Sequence, residues 1–552
     1  MKEANVWNRA LCKRPLSYIS IGTLLMLGLS WNAHAFVIDT GNPDVSVAWD
    51  NTLRYNLGYR TQPQDTHLLN TSYADEGDSL FKRHQIVTDR IDVLSEFDMK
   101  FRENSGFRVS AALWADAAYS GTSKGNPLFG STGSYPNNQF TPLVKRFYAG
   151  PSGEFLDAFV FSKFDLAGTP VNLKVGKHTV YWGESLGLGG ALNGIAYSQA
   201  PLDLQKGFAT PGTDAKELFR PLNNISGQAQ LSDKLSVEAQ YFLDWSASRY
   251  PEGGTYLGPA DFVFDGPVRQ IAGGSTFLTR GNPFEPNKTG EWGIAARYTP
   301  DWLDGTLGLY YRRFAEKIPN ILRTGPTPSL TYNMVYGSGS DLYGVSLAKQ
   351  IAGISVGAEL SYRHNTVLNA PTLGVSPNGD EARGNTFHGL INGVVILPKS
   401  ALYDTATASA ELTGSRWSKV LSHPELFNAL GFAPCVGKEQ WDGCATKNYF
   451  GLSLAFTPTW FQAYPGVDLS LPITVSDGIS GDASTAMGGS ERSGNFSFGL
   501  GADVAQKYRF DLKYNGYFGR VKTNATALVS QNGLSTLIID RGYLSLTFKT
   551  SF

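Results

Sequence analysis

The chain has 552 residues, with 47 Lys and Arg against 48 Asp and Glu. That balance leaves no basic stripe of the kind nucleic-acid binding requires. Mean hydropathy is -0.19, yet 12% of residues are aromatic and 61 are glycine. Beyond the first 35 residues no long apolar segment occurs, which argues against membrane helices and suits strands with one wet face.

Lys2, Arg9, Lys13 and Arg14 give the chain a positive start. Residues 19–29 form a short apolar core, and Ala33-His34-Ala35 follows as a small-x-small processing site. Residues 1–35 are therefore expected to be a secretory signal, with a mature chain 36–552 beginning at Phe36. A single transmembrane helix is the competing reading, but the apolar run is short for a bilayer. Cys12 precedes the apolar core, the wrong place for a lipid-anchored terminus.

Period-two alternation then recurs along the chain. Ile91, Val93, Phe97, Met99 and Phe101 alternate with Arg90, Asp92, Glu96, Asp98 and Lys100. Leu235, Val237, Ala239 and Tyr241 alternate with Ser236, Glu238 and Gln240. Ile354, Val356, Ala358, Leu360 and Tyr362 alternate with Ser355, Gly357, Glu359, Ser361 and Arg363. Short turns are expected near 103–106, 167–170, 232–234, 300–305, 351–353 and 504–507. Long Gly/Pro/Asn-rich connections are expected at 61–82, 120–151, 183–221, 247–289, 315–340, 366–400, 424–447, 478–491 and 520–535. Long loops alternating with short turns predict an all-β chain: a transmembrane antiparallel β-barrel of about 18 strands, with about 16 as second choice because the stretch 419–422 is weak. Backbone groups in hydrocarbon must all be paired within the protein, which a closed barrel achieves. A barrel this wide encloses a lumen rather than a packed core.

The connection 183–221 could fold inward as a constriction. Trp182, Glu184, Asp203, Lys206, Lys216, Glu217 and Arg220 would then face the passage; residues 215–219 could form a helical turn. An external loop with no specific role is the plain alternative. Gly183-Glu184-Ser185-Leu186-Gly187 also fits the G-x-S-x-G elbow of serine hydrolases. The following Leu188-Gly189-Gly190 is a poor helix start, and no α/β scaffold is present, so the match is read as chance. The mature chain's six histidines are scattered, none at metal-ligand spacing. His178 shares the inner face with Lys174, as a solvated lumen histidine. Inward charges are mixed in sign, with Arg54, Arg60, Arg90, Arg108, Lys174, Arg363 and Arg509 facing Asp92, Asp98, Glu238, Asp244, Glu359, Asp468 and Asp511. No one-sign ring marks an ion-selective pore. No cofactor and no catalytic residues are expected.

Cys435 and Cys444 lie nine residues apart in a Gly/Pro-rich stretch. In an oxidising compartment they read as one disulfide, with a metal site as the competitor. At the end, Leu544, Leu546, Phe548 and Phe552 alternate with Tyr543, Ser545, Thr547, Lys549 and Ser551. A terminal aromatic preceded by alternating apolar residues looks like the signal read by barrel-assembly machinery, an ordinary edge strand being the alternative.

The run from Gly176 through Trp182-Gly183-Glu184-Ser185, then Asn193-Gly194, Pro201-Leu202-Asp203, Lys216-Glu217 and Pro221-Leu222-Asn223, resembles the domain of unknown function 1302 family. The stretch 235–241 and the ending 541–552 are also similar. Lys177 stands where the family usually has arginine and His178 where glutamine is common. The resemblance implies a Gram-negative outer-membrane barrel among outer-membrane lipids. It also implies a periplasmic lipid-carrier-like protein and an inner-membrane efflux-type transporter as partners. The leading expectation is thus a conduit for hydrophobic or lipid-like small molecules. The alternatives are a porin for polar solutes and a non-transport surface-binding or structural barrel. An outer-membrane lipase comes last.

Overall fold

The computed structural model describes residues 36–130, 132–209, 215–273 and 276–552. The expected signal segment lies outside them. Among the described residues, eighteen strands form one closed antiparallel barrel. In chain order they are β1 (Val45–Arg60), β2 (Ile86–Phe101), β3 (Ser105–Asp116), β4 (Ser152–Leu166), β5 (Thr169–His178), β6 (Leu222–Ser232) and β7 (Leu235–Phe242). Then follow β8 (Trp292–Tyr298), β9 (Gly305–Phe314), β10 (Ser340–Ile351), β11 (Ile354–Val367), β12 (Arg383–Leu397) and β13 (Thr405–Ser422). The last are β14 (Asn448–Tyr464), β15 (Val467–Ser470 continued by Ile473–Ser480), β16 (Gly494–Val504), β17 (Tyr508–Phe518) and β18 (Tyr543–Ser551). Pro472 carries no N–H for a ladder, and β15 breaks beside it.

Closure is made by β1 and β18, registered from Thr52 with Ser551 to Arg60 with Tyr543. Phe552 exchanges two backbone hydrogen bonds of 2.9 Å with Asn51. The short strand Phe36–Ile38 extends that row, pairing Phe36 with Trp49. No ladder edge is left at the seam, as a hydrocarbon surround demands.

The alternation sorts the faces as expected. Ile294, Leu309, Val345, Leu360, Ile391, Leu412 and Leu454 are exposed on the outside. At the long-loop end of that band the outer rings of Trp292, Tyr311, Tyr343, Tyr362 and Phe387 form a continuous row with centroids 5.0, 5.1, 6.4 and 5.0 Å apart. Amphipathic rings stacked at one level are a membrane-interface girdle.

Two expectations need correction. Residues 366–400 are not one long connection, since β12 runs through them, with the long loop 368–382 before it and a short turn from 398 to 404 after it. Gly389 and Gly393 interrupt its apolar face, so its alternation reads weakly; pairing with β11 and β13 on both sides completes it. The stretch 419–422 belongs to β13, which at 18 residues is the longest strand described. The lumen departs further from the sequence reading. Its long-loop half is filled by inward-folded loops with an apolar core that includes Trp182, Ile195, Tyr197, Trp245, Phe262 and Phe314.

Cys435 and Cys444 are joined by a disulfide in the loop between β13 and β14. Trp417, Phe427 and Phe432 pack edge-on beside it with centroids 4.8–5.6 Å apart.

Candidate functional site: the loop-filled lumen

The connection between β5 and β6 crosses the lumen and is anchored on opposite walls. On the far wall the anchors are carboxylates, guanidiniums and one amide that point inward from β9 and β11–β13. Glu411 of β13 accepts the N–H groups of Leu186 at 2.6 Å, Gly187 at 3.2 Å and Gly190 at 3.1 Å. Those of Gly187 and Gly190 are free donors at the start of the helix Leu188–Asn193, which the wall therefore caps. Glu359 of β11 accepts the N–H of Glu184 and, at 2.6 Å, that of Ile195. Arg312 of β9 donates to the carbonyls of Ile195 and Tyr197, and Arg363 of β11 to those of Leu192 and Gly194. Asn392 of β12 donates to Glu184 O at 2.6 Å.

The near-wall anchors are ion pairs to β1, β2 and β4. Lys206 bonds Glu217, which also takes Arg54 of β1 at 3.0 Å. Asp203 pairs with Arg249 at 3.0 Å, and Arg249 with Glu154 of β4 at 2.6 Å. Burial opposes the charge on Glu217, but Arg54 and Lys206 outweigh it and hold the carboxyl down at about 2. Burial pushes Arg220 down to about 10, Arg249 adding to the effect. Burial also raises Glu184, with Arg297 opposing.

The residues singled out from the sequence thus fall into distinct places. Trp182 is buried in the loop core, its Nε1 donating to Glu238 at 2.8 Å. Glu184, Asp203, Lys206 and Glu217 are buried or nearly so in the anchors. Arg220 donates to Ala247 O at 2.8 Å. Lys216 lies in the helix Ala215–Leu218, its side chain outside the described part. Lys174 faces the lumen below the loops, over the Phe159 ring. His178 is not solvated: it is 2% exposed, with Nε2 2.7 Å from Ser226 Oγ and Nδ1 3.0 Å from Gly176 O. Beside the near-wall anchors a cavity of about 40 Å3 remains, lined by Arg90, Trp114, Glu154, Lys206, Glu217 and Arg249 among others. At about 10–15 Å3 per water it has room for a few waters.

A helix does follow the G-x-S-x-G run, contrary to expectation, because Glu411 supplies the cap that Leu188-Gly189-Gly190 lacks. Ser185 is buried and its Oγ bonds the Tyr181 hydroxyl, in a loop folded into a barrel lumen rather than on the elbow of an α/β sheet. Glu411 itself is missed from the sequence. The available signal was one acid at an inward position of a strand otherwise made there of Ser and Thr.

A second buried network ties the remaining loops together. Arg60 at the top of β1 pairs with Asp78 at 2.6 Å and Asp540 at 3.1 Å. Arg541 donates to the carbonyls of Thr255, Tyr256 and Gly258. Asp261 accepts the N–H groups of Asp75 at 2.9 Å and Glu76 at 3.1 Å. Burial, with the neighbouring Asp261 charge, pushes Asp75 up to about 9 and Glu76 well above its usual range. Burial lifts Asp261 to about 7.

A closed, girdled barrel with an apolar outer band and loops folded into its lumen defines an outer-membrane β-barrel of porin-like architecture. The chain belongs to the DUF1302 family, described as proteins of unknown function, whose model matches residues 18–552. No curated protein matches it. Among solved structures, it is similar to OpdK of Pseudomonas aeruginosa, crystallised with vanillate, at 10% identity over 92% of this chain and 98% of that one, TM-score 0.40. A BenF-like porin from Pseudomonas fluorescens Pf-5 shows 10% identity over the same shares, TM-score 0.42. The outer-membrane channel DcaP of Acinetobacter baumannii shows 8% identity over 92% and 97%, TM-score 0.36.

Proposed function

We propose that this barrel is an outer-membrane conduit for hydrophobic or amphipathic, lipid-like small molecules. The observation that carries the reading is the apolar core inside the lumen. Loops that pack Trp, Tyr, Phe and Ile against one another across the barrel present apolar surface wherever they part. An apolar solute loses little in such a passage, whereas a small ion would be desolvated. The crossing loop is held to the wall by hydrogen bonds and ion pairs, contacts that a change in one side chain can release. In this reading residues 1–35 are a signal cleaved after Ala35, and the assembly machinery reads the end Leu544, Leu546, Phe548 and Phe552. A periplasmic lipid-carrier-like protein delivers or receives cargo, in series with an inner-membrane efflux-type transporter.

A porin for polar solutes is the second reading, favoured by the polar wall below the loops. Planar-bilayer recording of the mature protein, intact and with residues 186–212 deleted, separates them. Silence in the intact barrel and opening on deletion supports the conduit. Large steady steps in the intact barrel support the porin. Silence in both leaves a binding or structural barrel and removes both transport readings.

A further inference from the structure

Below the loop layer, inward cations of the wall are tied to carboxylates. Arg108 pairs with Glu96, and with Asp98 and Asp157 at 3.6 Å; Arg509 pairs with Asp503, and with Asp511 at 2.8 Å. Lys163 of β4 and Lys174 of β5 are different. Both project from neighbouring strands onto the lumen side, Lys163 in register with Asn172 and Lys174 with Phe161. Among the described residues no carboxylate lies within ion-pair distance of either. Two like charges left unpaired on adjacent strands cost free energy, and a bound anion removes that cost.

The same patch carries two inward aromatic rings, below the buried cluster of Leu94, Ala112, Trp114 and Leu156. Phe159 and Phe161 have centroids 6.4 Å apart. Lys174 Nζ lies 5.5 Å from the Phe159 centroid and the His178 ring 5.4 Å from it. Two glycines leave the rings room. Gly176, at φ +125, stands opposite Phe159 with no side chain, and the Phe161 ring lies over Gly106, where a Cβ would meet it at 2.8 Å. Both phenylalanines are only partly buried, and so is Lys174, while Lys163 is exposed. The result is an apolar platform edged by two ammonium groups that no carboxylate pairs directly, Asp157, already held by Arg108, acting on Lys174 from further off.

We infer that Phe159, Phe161, Lys163 and Lys174 form a subsite for an amphiphile bearing one carboxylate. The carboxylate bridges the two ammonium groups and the apolar body lies on the two rings. Neither half suffices alone: a bare anion leaves the rings wet, and a neutral lipid leaves the charges unpaired. The inference deepens the conduit reading and rests on it for the ligand's route into the lumen, but binding can be measured without transport.

The test uses the mature protein in uncharged-lipid nanodiscs, with protein-free discs as background. The probe is stearate carrying an anthroyloxy fluorophore; its methyl ester and acetate are comparators. Saturable binding is expected. It should fall at least tenfold in K163Q/K174Q and in F159A/F161A, and be unchanged in K100Q, a lumen cation already beside Glu103 at 3.9 Å. Heat-modifiable migration on gels reports that each variant is folded. Equal binding of the methyl ester, equal competition by acetate, or wild-type binding in K163Q/K174Q overturns the subsite. So does the lack of saturable binding above empty discs. Binding without any transport keeps the subsite and removes the conduit; transport with unaltered binding in the variants does the reverse.

Discussion

Glu411 is the residue on which the crossing loop most depends. It satisfies three backbone donors, that of Gly190 buried and those of Leu186 and Gly187 partly buried. A buried donor left without an acceptor costs about 1–3 kcal/mol. E411A should therefore free the helix Leu188–Asn193 from the wall and produce openings in bilayer recordings, while E411Q, which keeps one acceptor oxygen, should open less often. Unchanged recordings in E411A would show that the remaining far-wall anchors on Glu359, Arg312, Arg363 and Asn392, with the near-wall ion pairs, hold the loop without Glu411. At this scale the sequence was only partly informative. Glu359 is legible as inward by parity, whereas its partners, Glu184 N and Ile195 N, come from a loop whose path no local pattern specifies.

At the scale of elements, the loops respond to pH and redox state where the strands do not. Asp75 and Asp261 usually ionise near 3.8, and burial raises them to about 9 and about 7. A raised acid favours the folded arrangement while protonated. Its contribution is whole below about pH 4 and is lost as pH climbs through 7 to 9. The segment 61–85 should thus be cleaved faster by a protease at pH 9.5 than at pH 6, after correction for the protease's own pH profile. D75N should flatten the difference; an unchanged profile in that variant would remove this cluster as its origin. The Cys435–Cys444 bridge closes a loop of nine residues' separation, worth about 2–3 kcal/mol by loop-closure entropy. C435S/C444S should make 423–447 protease-sensitive yet leave the heat-modifiable barrel band intact, because strands β13 and β14 hold their own ladder. Loss of that band would make the bridge a condition of barrel assembly.

For the whole molecule, the membrane decides which face tolerates charge. Leu360 lies on the outer band and is 57% exposed there. L360R should destabilise the barrel by about 2–4 kcal/mol if it sits near the bilayer midplane. The lumen-facing T457R should cost far less, since water reaches that wall. Urea unfolding in lipid vesicles measures both, and equal costs would contradict the assignment of faces.

The sequence by itself determined the strand period, the closed antiparallel barrel, the long-loop and short-turn ends, the paired cysteines and the sorting of faces. These follow from local alternation and from the rule that backbone polar groups cannot face lipid unpaired. It could not determine that the lumen's upper half is a packed core, that His178 is buried, or that 383–397 is a strand. Each depends on partners far along the chain: loops from five different connections meet in one apolar cluster, Ser226 closes over His178, and β11 and β13 pin β12 between them. Only the closed barrel brings those partners within reach.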